Sequence, residues 1–108
     1  MKNDLHITLV YITVGDVEEA REIGSELLMR HLAACVNIFD KMESMYWWEG
    51  RLESSSEAVL LAKTIPSLVE KLTETVKNLH SYDCPCIVAV ESKEGNSEFF
   101  EWINSHTS

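Results

Sequence analysis

In the first part of the chain, the spacing of apolar and polar residues changes from the pattern of a strand to that of a helix. Residues 5–13 are rich in β-branched and aromatic side chains on both faces of an extended chain, which predicts a central strand. Asp16 followed by Glu19 is an acidic N-cap with its reciprocal partner, and therefore indicates a helix start. Apolar residues at helical spacing then predict a helix from about Val17 to His31.

Residues 33–64 have the pattern of two strands joined by a turn. Strand character runs over residues 33–39, is interrupted by a bulge or bend at Asp40 and Lys41, and resumes from Met42 to Trp48. Gly50 provides the turn before a return strand over residues 52–64. Residues 58–62 of that strand are apolar on both faces, which is typical of the middle of a sheet.

The last third of the chain predicts a helix, a fourth strand and a short terminal helix. Pro66 opens the first of these helices, and residues 80–85 end it because Pro85 favours an extended conformation at the preceding residue. A strand is expected over residues 86–91. After the turn at Gly95 and Asn96, the terminal helix would turn its apolar side inward, with Phe99, Trp102 and Ile103.

This order of elements, β-α-β-β-α-β plus a C-terminal helix, predicts one ferredoxin-like α+β domain over residues 1–108. The two connecting helices should cover one face of the sheet and leave apolar residues uncovered on the other. The long hairpin also carries Tyr46, Trp47 and Trp48 away from the body of the domain. Because monomers rarely expose so much apolar surface, we expect both regions to be buried against other subunits.

The amino-acid composition and net charge exclude several classes of function. With 108 residues, 45% of them hydrophobic, the chain is long enough for one folded core. The net charge of −9 argues against a nucleic-acid partner. A polar start and the lack of a long apolar run predict neither a signal peptide nor a membrane span, so reduced cysteines in the cytoplasm are expected. No nucleophile–base pair follows a recognisable catalytic motif, and we expect no enzyme activity.

Residues 80–86 concentrate the side chains that can bind metal. Imidazole and thiolate suit copper and zinc, so the candidate ligands are His80, Cys84 and Cys86, holding copper or another divalent cation. The alternative is structural: Cys86 would be a small buried residue at a strand start, and His80 would cap the end of a helix.

A ligand cleft between subunits is a second candidate site. Lys63 lies in a central strand and therefore needs a ligand or a carboxylate partner, for which Glu57 and Asp83 are the candidates. Cys35 either faces this cleft or is an inert core thiol. The residues expected to form the cleft are Cys35, Trp48, Lys63, Tyr82 and Asp83.

Several segments occur together in this chain: LAACVN at residues 32–37, YWWEG at 46–50, LLAKT at 60–64 and HSYDCP at 80–85. Together they resemble the CutA family, which is named for divalent-cation tolerance. The resemblance implies a ferredoxin-like subunit in a tight homotrimer whose hairpins pair edge to edge. It also implies a cytoplasmic protein linked with copper and other divalent cations, with no established catalytic reaction.

The chain departs from the family's pattern in the segment that the family usually has as His-Pro-Tyr-Glu. Here Asp83 keeps the carboxylate on a shorter side chain, and Ser81 is expected to loosen the loop. Ile12 and Leu79 stand where copper-ligating members place further ligands, so His80 is the one copper ligand of that set that this chain keeps.

Two functions are compatible with these features. The first is a trimer that binds a metal ion or a small ligand at clefts between subunits, without catalysis. The alternative is a structural trimer that acts as an interaction or signalling scaffold for a small-molecule or protein partner, without metal binding.

Overall fold

The computed structural model describes residues 5–107, and its strands and helices follow the predicted order. The elements are β1 Ile7–Val14, α1 Val17–Met29, β2 Cys35–Trp48, β3 Arg51–Thr64, α2 Val69–Leu79, β4 Ile87–Ser92 and α3 Ser97–Ser105. A 3-10 turn, Pro66–Leu68, precedes α2. Within the described part of the chain this is an α+β fold with a four-stranded sheet and three α-helices.

Helix α1 begins as predicted and ends two residues early. The Asp16 carboxylate accepts a hydrogen bond of 2.8 Å from the Glu19 backbone N–H, which satisfies a donor that the first turn leaves free. At the other end His31 takes a φ of 58° instead of continuing the helix. The Leu32 N–H then bonds the Leu27 carbonyl at 2.9 Å, so the last turn is closed by a left-handed residue.

All strand pairs are antiparallel, and the strand order is β2-β3-β1-β4. The predicted bulge is confirmed, since the β2–β3 register shifts between Phe39 and Met42 and Lys41 has a φ of 59°. The predicted turn is confirmed as well: Glu49 and Gly50 have φ of 51° and 78°, the signs of a tight two-residue hairpin turn. The long hairpin stretches the molecule to 52 Å along its longest axis.

The main core lies between one face of the sheet and helices α1 and α2. Alternate residues of β1, including Val10 and Ile12, pack there with Leu27 of α1 and Leu72 of α2, all fully buried. Both connecting helices therefore cover the same face, as the connection rule predicts. Helix α3 covers one end of the opposite face, where Ile103 joins a smaller cluster.

The rest of that opposite face is uncovered. Phe39, Val88 and Val90 are 55%, 51% and 57% exposed there, and the hairpin beyond it exposes 75% of Trp47. Isolated apolar residues on a surface are ordinary, but a continuous apolar face marks an interaction site. No helix formed by residues 5–107 is both long and apolar enough to cross a membrane.

Candidate functional site

A groove of about 500 Å³ opens on the uncovered face, where the outer part of the hairpin meets β1 and the segment after α2. We call it the hairpin groove. Aromatic, acidic and sulfur-containing side chains from several elements line it, among them Tyr11, Trp48, Glu57, Tyr82, Cys84 and Cys86. Because these side chains combine apolar walls with a few polar groups, the groove has the make-up of a ligand site.

Tyr82 ties the segment after α2 to the sheet across this groove. Its hydroxyl donates a hydrogen bond of 2.8 Å to Oε2 of Glu57 on β3. Burial, the bond to Glu57, and the negative charges of Glu57 and Glu19 together raise the pKa of Tyr82 to about 12. Near neutral pH Tyr82 is therefore a protonated donor, which leaves the other carboxylate oxygen of Glu57 available to a ligand.

Glu19 of α1 also bonds the segment after α2. Its carboxylate accepts hydrogen bonds from the Ser81 N–H at 2.8 Å, the Ser81 hydroxyl at 2.9 Å and the Gly15 N–H at 3.2 Å. The expectation that Ser81 loosens the loop is therefore wrong. Serine provides both an N–H, which proline lacks, and a hydroxyl, and both bond the same carboxylate.

His80 is used within the subunit. Its side chain is fully buried, and Nε2 lies 2.7 Å from the Thr13 carbonyl oxygen, to which it donates. Nδ1 then accepts a 3.0 Å bond from the Tyr82 N–H, which corresponds to the neutral ring with its proton on Nε2. His80 is also the C-cap residue of α2, as the structural alternative predicts.

The thiols of Cys84 and Cys86 are exposed, unlike the buried residue that the structural alternative expects for Cys86. Both line the groove, whereas His80 does not. Within residues 5–107 no three or more His, Cys, Asp and Glu side chains are grouped closely enough to hold a metal ion. Metal binding by His80, Cys84 and Cys86 therefore stays a prediction.

The five residues predicted for the ligand cleft do not lie together in one chain. Trp48 and Tyr82 line the hairpin groove, and Asp83 follows in the adjoining loop outside the lining. Cys35 and Lys63 are register partners near the other end of the sheet. Burial raises the pKa of the Cys35 thiol, and the positive charge of Lys63 offsets only part of that effect.

The expected carboxylate partners of Lys63 are wrong. Its ammonium group lies 5.6 Å from the centroid of the Phe99 ring, a cation–π contact with α3. Glu57 is engaged by Tyr82 instead, and among the described residues no salt bridge involves Lys63 or Asp83.

Sequence reasoning did not assign Tyr11 and Met42 to a site, although both line the groove. Tyr11 donates a hydrogen bond of 3.7 Å to the thioether sulfur of Met42, and both side chains line the groove. The alternation of β1 does place Tyr11 on the uncovered face, but only the strand order brings it within reach of β2.

Comparisons with known proteins agree with this architecture. The family model described as CutA1 divalent ion tolerance protein matches residues 8–106. The rice protein called Protein CutA 1, chloroplastic, is 41% identical over 99 residues, which are 92% of this chain and 56% of the rice protein. The chain thus spans little more than half of that relative. The divalent-cation tolerance protein CutA of Thermus thermophilus is 43% identical over 99 residues, covering 92% of this chain and 96% of that protein.

A solved structure described as the periplasmic divalent cation tolerance protein CutA from Archaeoglobus fulgidus superimposes with a TM-score of 0.89. It is 40% identical in sequence, and the match covers 93% of this chain and 97% of that one.

Proposed function

Since this chain belongs to the CutA1 divalent ion tolerance family, we propose that it is a non-catalytic homotrimer that binds a divalent cation, copper first among the candidates, or a small ligand at clefts between its subunits. One observation carries this proposal. The hairpin groove opens on the uncovered apolar face, so a second subunit that covers this face also closes the groove.

Assembly is supported by the edge of the sheet. Strand β2 is the edge strand of a ferredoxin-like subunit, and over its 14 residues it presents backbone groups that another chain can pair with. Side chains of Tyr46, Trp47 and Trp48 are 40%, 75% and 61% exposed next to this edge. Burying a large apolar side chain contributes about 1.5–3 kcal/mol, so burial of these aromatic residues between subunits would favour association.

Cation binding is supported by charge and by incomplete coordination. The net charge of −9 raises the local concentration of cations around the protein. Within residues 5–107 one chain groups fewer than three His, Cys, Asp and Glu side chains, so a divalent cation that needs more ligands would take them from neighbouring copies. Clefts between subunits meet that requirement, because each copy brings its own Glu57 and its own cysteines.

A reducing compartment, the cytoplasm, is the location we propose, and the three free thiols Cys35, Cys84 and Cys86 support it. Relatives are described with different locations, chloroplastic for the rice protein and periplasmic for the Archaeoglobus protein. Fractionation of the native host followed by immunodetection tests this point, and recovery of the protein outside the cytoplasm would contradict it.

Light scattering coupled to size exclusion tests the trimer. The unmodified chain should elute with three times its mass of 12.3 kDa, and Trp47→Ala/Trp48→Ala should give monomer or aggregate. Met29→Ala is the control, because this side chain is 71% exposed but lies on α1, away from the hairpin. A monomeric unmodified chain would refute the trimer, and an intact trimer in the double variant would refute the role of the two tryptophans in assembly.

Calorimetric titration of the metal-free trimer with Cu(II) and Zn(II) tests the cation. Glu57→Gln, Cys84→Ser and Cys86→Ser should each weaken binding, whereas His80→Ala reports whether its buried ring takes part. Binding no tighter than about 1 mM, roughly −4 kcal/mol, would exclude the cation function. A stable trimer without cation binding would point to the scaffold alternative, which the internal bonding of His80 favours.

A further inference from the structure

Three sulfur-containing side chains line the hairpin groove. Cys84 and Cys86 come from the segment after α2, and Met42 comes from β2. The Met42 thioether is held in place by the Tyr11 hydroxyl, which lies 3.7 Å from the sulfur atom. The fold therefore places the Met42 thioether and two thiols from a much later segment along one groove.

Strand pairing directs the Cys86 side chain towards the groove. The Cys86 carbonyl accepts a hydrogen bond of 3.3 Å from the Thr13 N–H, which continues the β1–β4 pairing by one residue. The side chain of Cys86 is therefore on the same face of the sheet as Tyr11. Cys84 lies two residues earlier, in the bend before Pro85, and it also lines the groove.

The chemistry of this donor set favours a particular class of ion. Thiolate and thioether sulfurs are soft ligands that select Cu(I), whereas Zn(II) requires four ligands in a tetrahedron. A soft monovalent ion is satisfied by two or three sulfurs, so this set can serve it within one chain. The aromatic rings of Tyr11 and Trp48 also line the groove, and the face of an aromatic ring attracts a cation.

We propose that the hairpin groove binds a soft monovalent cation, Cu(I) or Ag(I), through the thiolates of Cys84 and Cys86 and the thioether of Met42. This inference rests on the proposed function, because it takes the groove as the cation site, and it changes the class of cation. Both thiols release their protons to solvent when the ion binds. His80 takes no part, since both of its ring nitrogens are bonded within the subunit.

Titration of the fully reduced chain with Ag(I), which is stable in air, tests the proposal. Excess glutathione is present, so a single thiol cannot hold the ion. Native mass spectrometry should show one Ag(I) per chain, and calorimetry should show one binding step. Cys84→Ser/Cys86→Ser should lose that ion, and Met42→Leu, which keeps an apolar side chain of similar volume, should lower the affinity and keep the stoichiometry.

Cys35→Ser is the matched control, because it removes the one cysteine that lies outside the groove. It should bind Ag(I) like the unmodified chain. Retained binding in the double cysteine variant, unchanged affinity in Met42→Leu, or an equal loss in Cys35→Ser would each overturn the inference.

Parallel titration with Zn(II) and Cu(II) separates this inference from the proposed function. A trimer that binds these divalent ions but not Ag(I) keeps the proposed function and refutes the sulfur site. A chain that binds Ag(I) but no divalent ion keeps the sulfur site and refutes divalent binding.

Discussion

Replacing Glu19 with glutamine should loosen the segment that carries Tyr82 to the hairpin groove. The Glu19 carboxylate accepts three hydrogen bonds, two from Ser81 and one from Gly15, and its side chain is only 16% exposed. Glutamine keeps one acceptor oxygen, but its NH₂ group faces an N–H or O–H donor where the carboxylate had its second oxygen. At least one donor therefore loses its partner.

The magnitude follows from these bonds. A hydrogen bond to a charged group contributes about 1.5–3 kcal/mol, and the partial exposure of Glu19 lets water replace part of what is lost. We expect Glu19→Gln to lower the free energy of unfolding by about 1–2 kcal/mol. Glu18→Gln is the matched control, because Glu18 is 72% exposed and pairs only with Arg21 on the surface. Its cost should not exceed about 0.5 kcal/mol.

Urea unfolding measures the difference in the free energy of unfolding between each variant and the unmodified chain. The chain concentration must be the same throughout, because the apparent stability of an assembly depends on concentration. Amide hydrogen exchange shows where stability is lost. The Ser81 and Gly15 N–H groups should exchange faster in Glu19→Gln and at an unchanged rate in Glu18→Gln. Equal stability of the two variants, or unchanged exchange at Ser81, would refute the reasoning.

Three other predictions concern single groups. The pKa of Tyr82 is raised from 10 to about 12 by burial and by Glu57, so the stability contributed by its neutral phenol is complete below pH 10 and is lost as the pH rises through 12. In an alkaline spectrophotometric titration, Tyr82→Phe should lack the tyrosine ionisation that occurs at the highest pH in the unmodified protein. Burial raises the pKa of Cys35, so iodoacetamide at mildly alkaline pH should modify the two exposed thiols first, as peptide mass mapping would show. Gly95 has a φ of 156°, and an added Cβ would lie 2.9 Å from the Phe100 ring, so Gly95→Ala should cost about 1–3 kcal/mol in urea unfolding. Gly50→Ala, whose Cβ would meet nothing within 4 Å, should cost less.

Local features of the fold were predictable because neighbouring residues decide them. Asp16 caps α1 through a bond to the backbone three residues later, and Glu49-Gly50 forms a turn whose two positive φ values suit glycine at the second position. The bulge at Asp40 and Lys41 also depends on a break in alternation that is visible in the sequence.

The candidate site was predictable only in part. Trp48, Tyr82, Cys84 and Cys86 were identified from sequence and line the hairpin groove. Met42 was not assigned to a site, because its place beside Tyr11 depends on the register of β2 against β3 and of β3 against β1.

Side-chain partners were the least predictable. Sequence reasoning expects a carboxylate for Lys63, since a half-buried ammonium group needs a counter-charge or a ligand. In the structure the ring of Phe99 approaches it instead, because α3 packs over that end of the sheet. Likewise, the Ser81 N–H and hydroxyl both bond Glu19, because the docking of α1 brings that carboxylate within reach.

By itself, then, the sequence determined which segments become strands and helices, where they turn, and which residues lie on the uncovered face. Periodicity, capping and turn chemistry act over a few residues, so they can be read from the chain. Only the tertiary structure decided which side chains come together: Glu57 bonds Tyr82, Glu19 bonds Ser81, and Met42 lines the same groove as the two cysteines. These contacts join residues that are distant along the chain, and strand order, register and helix docking bring them together.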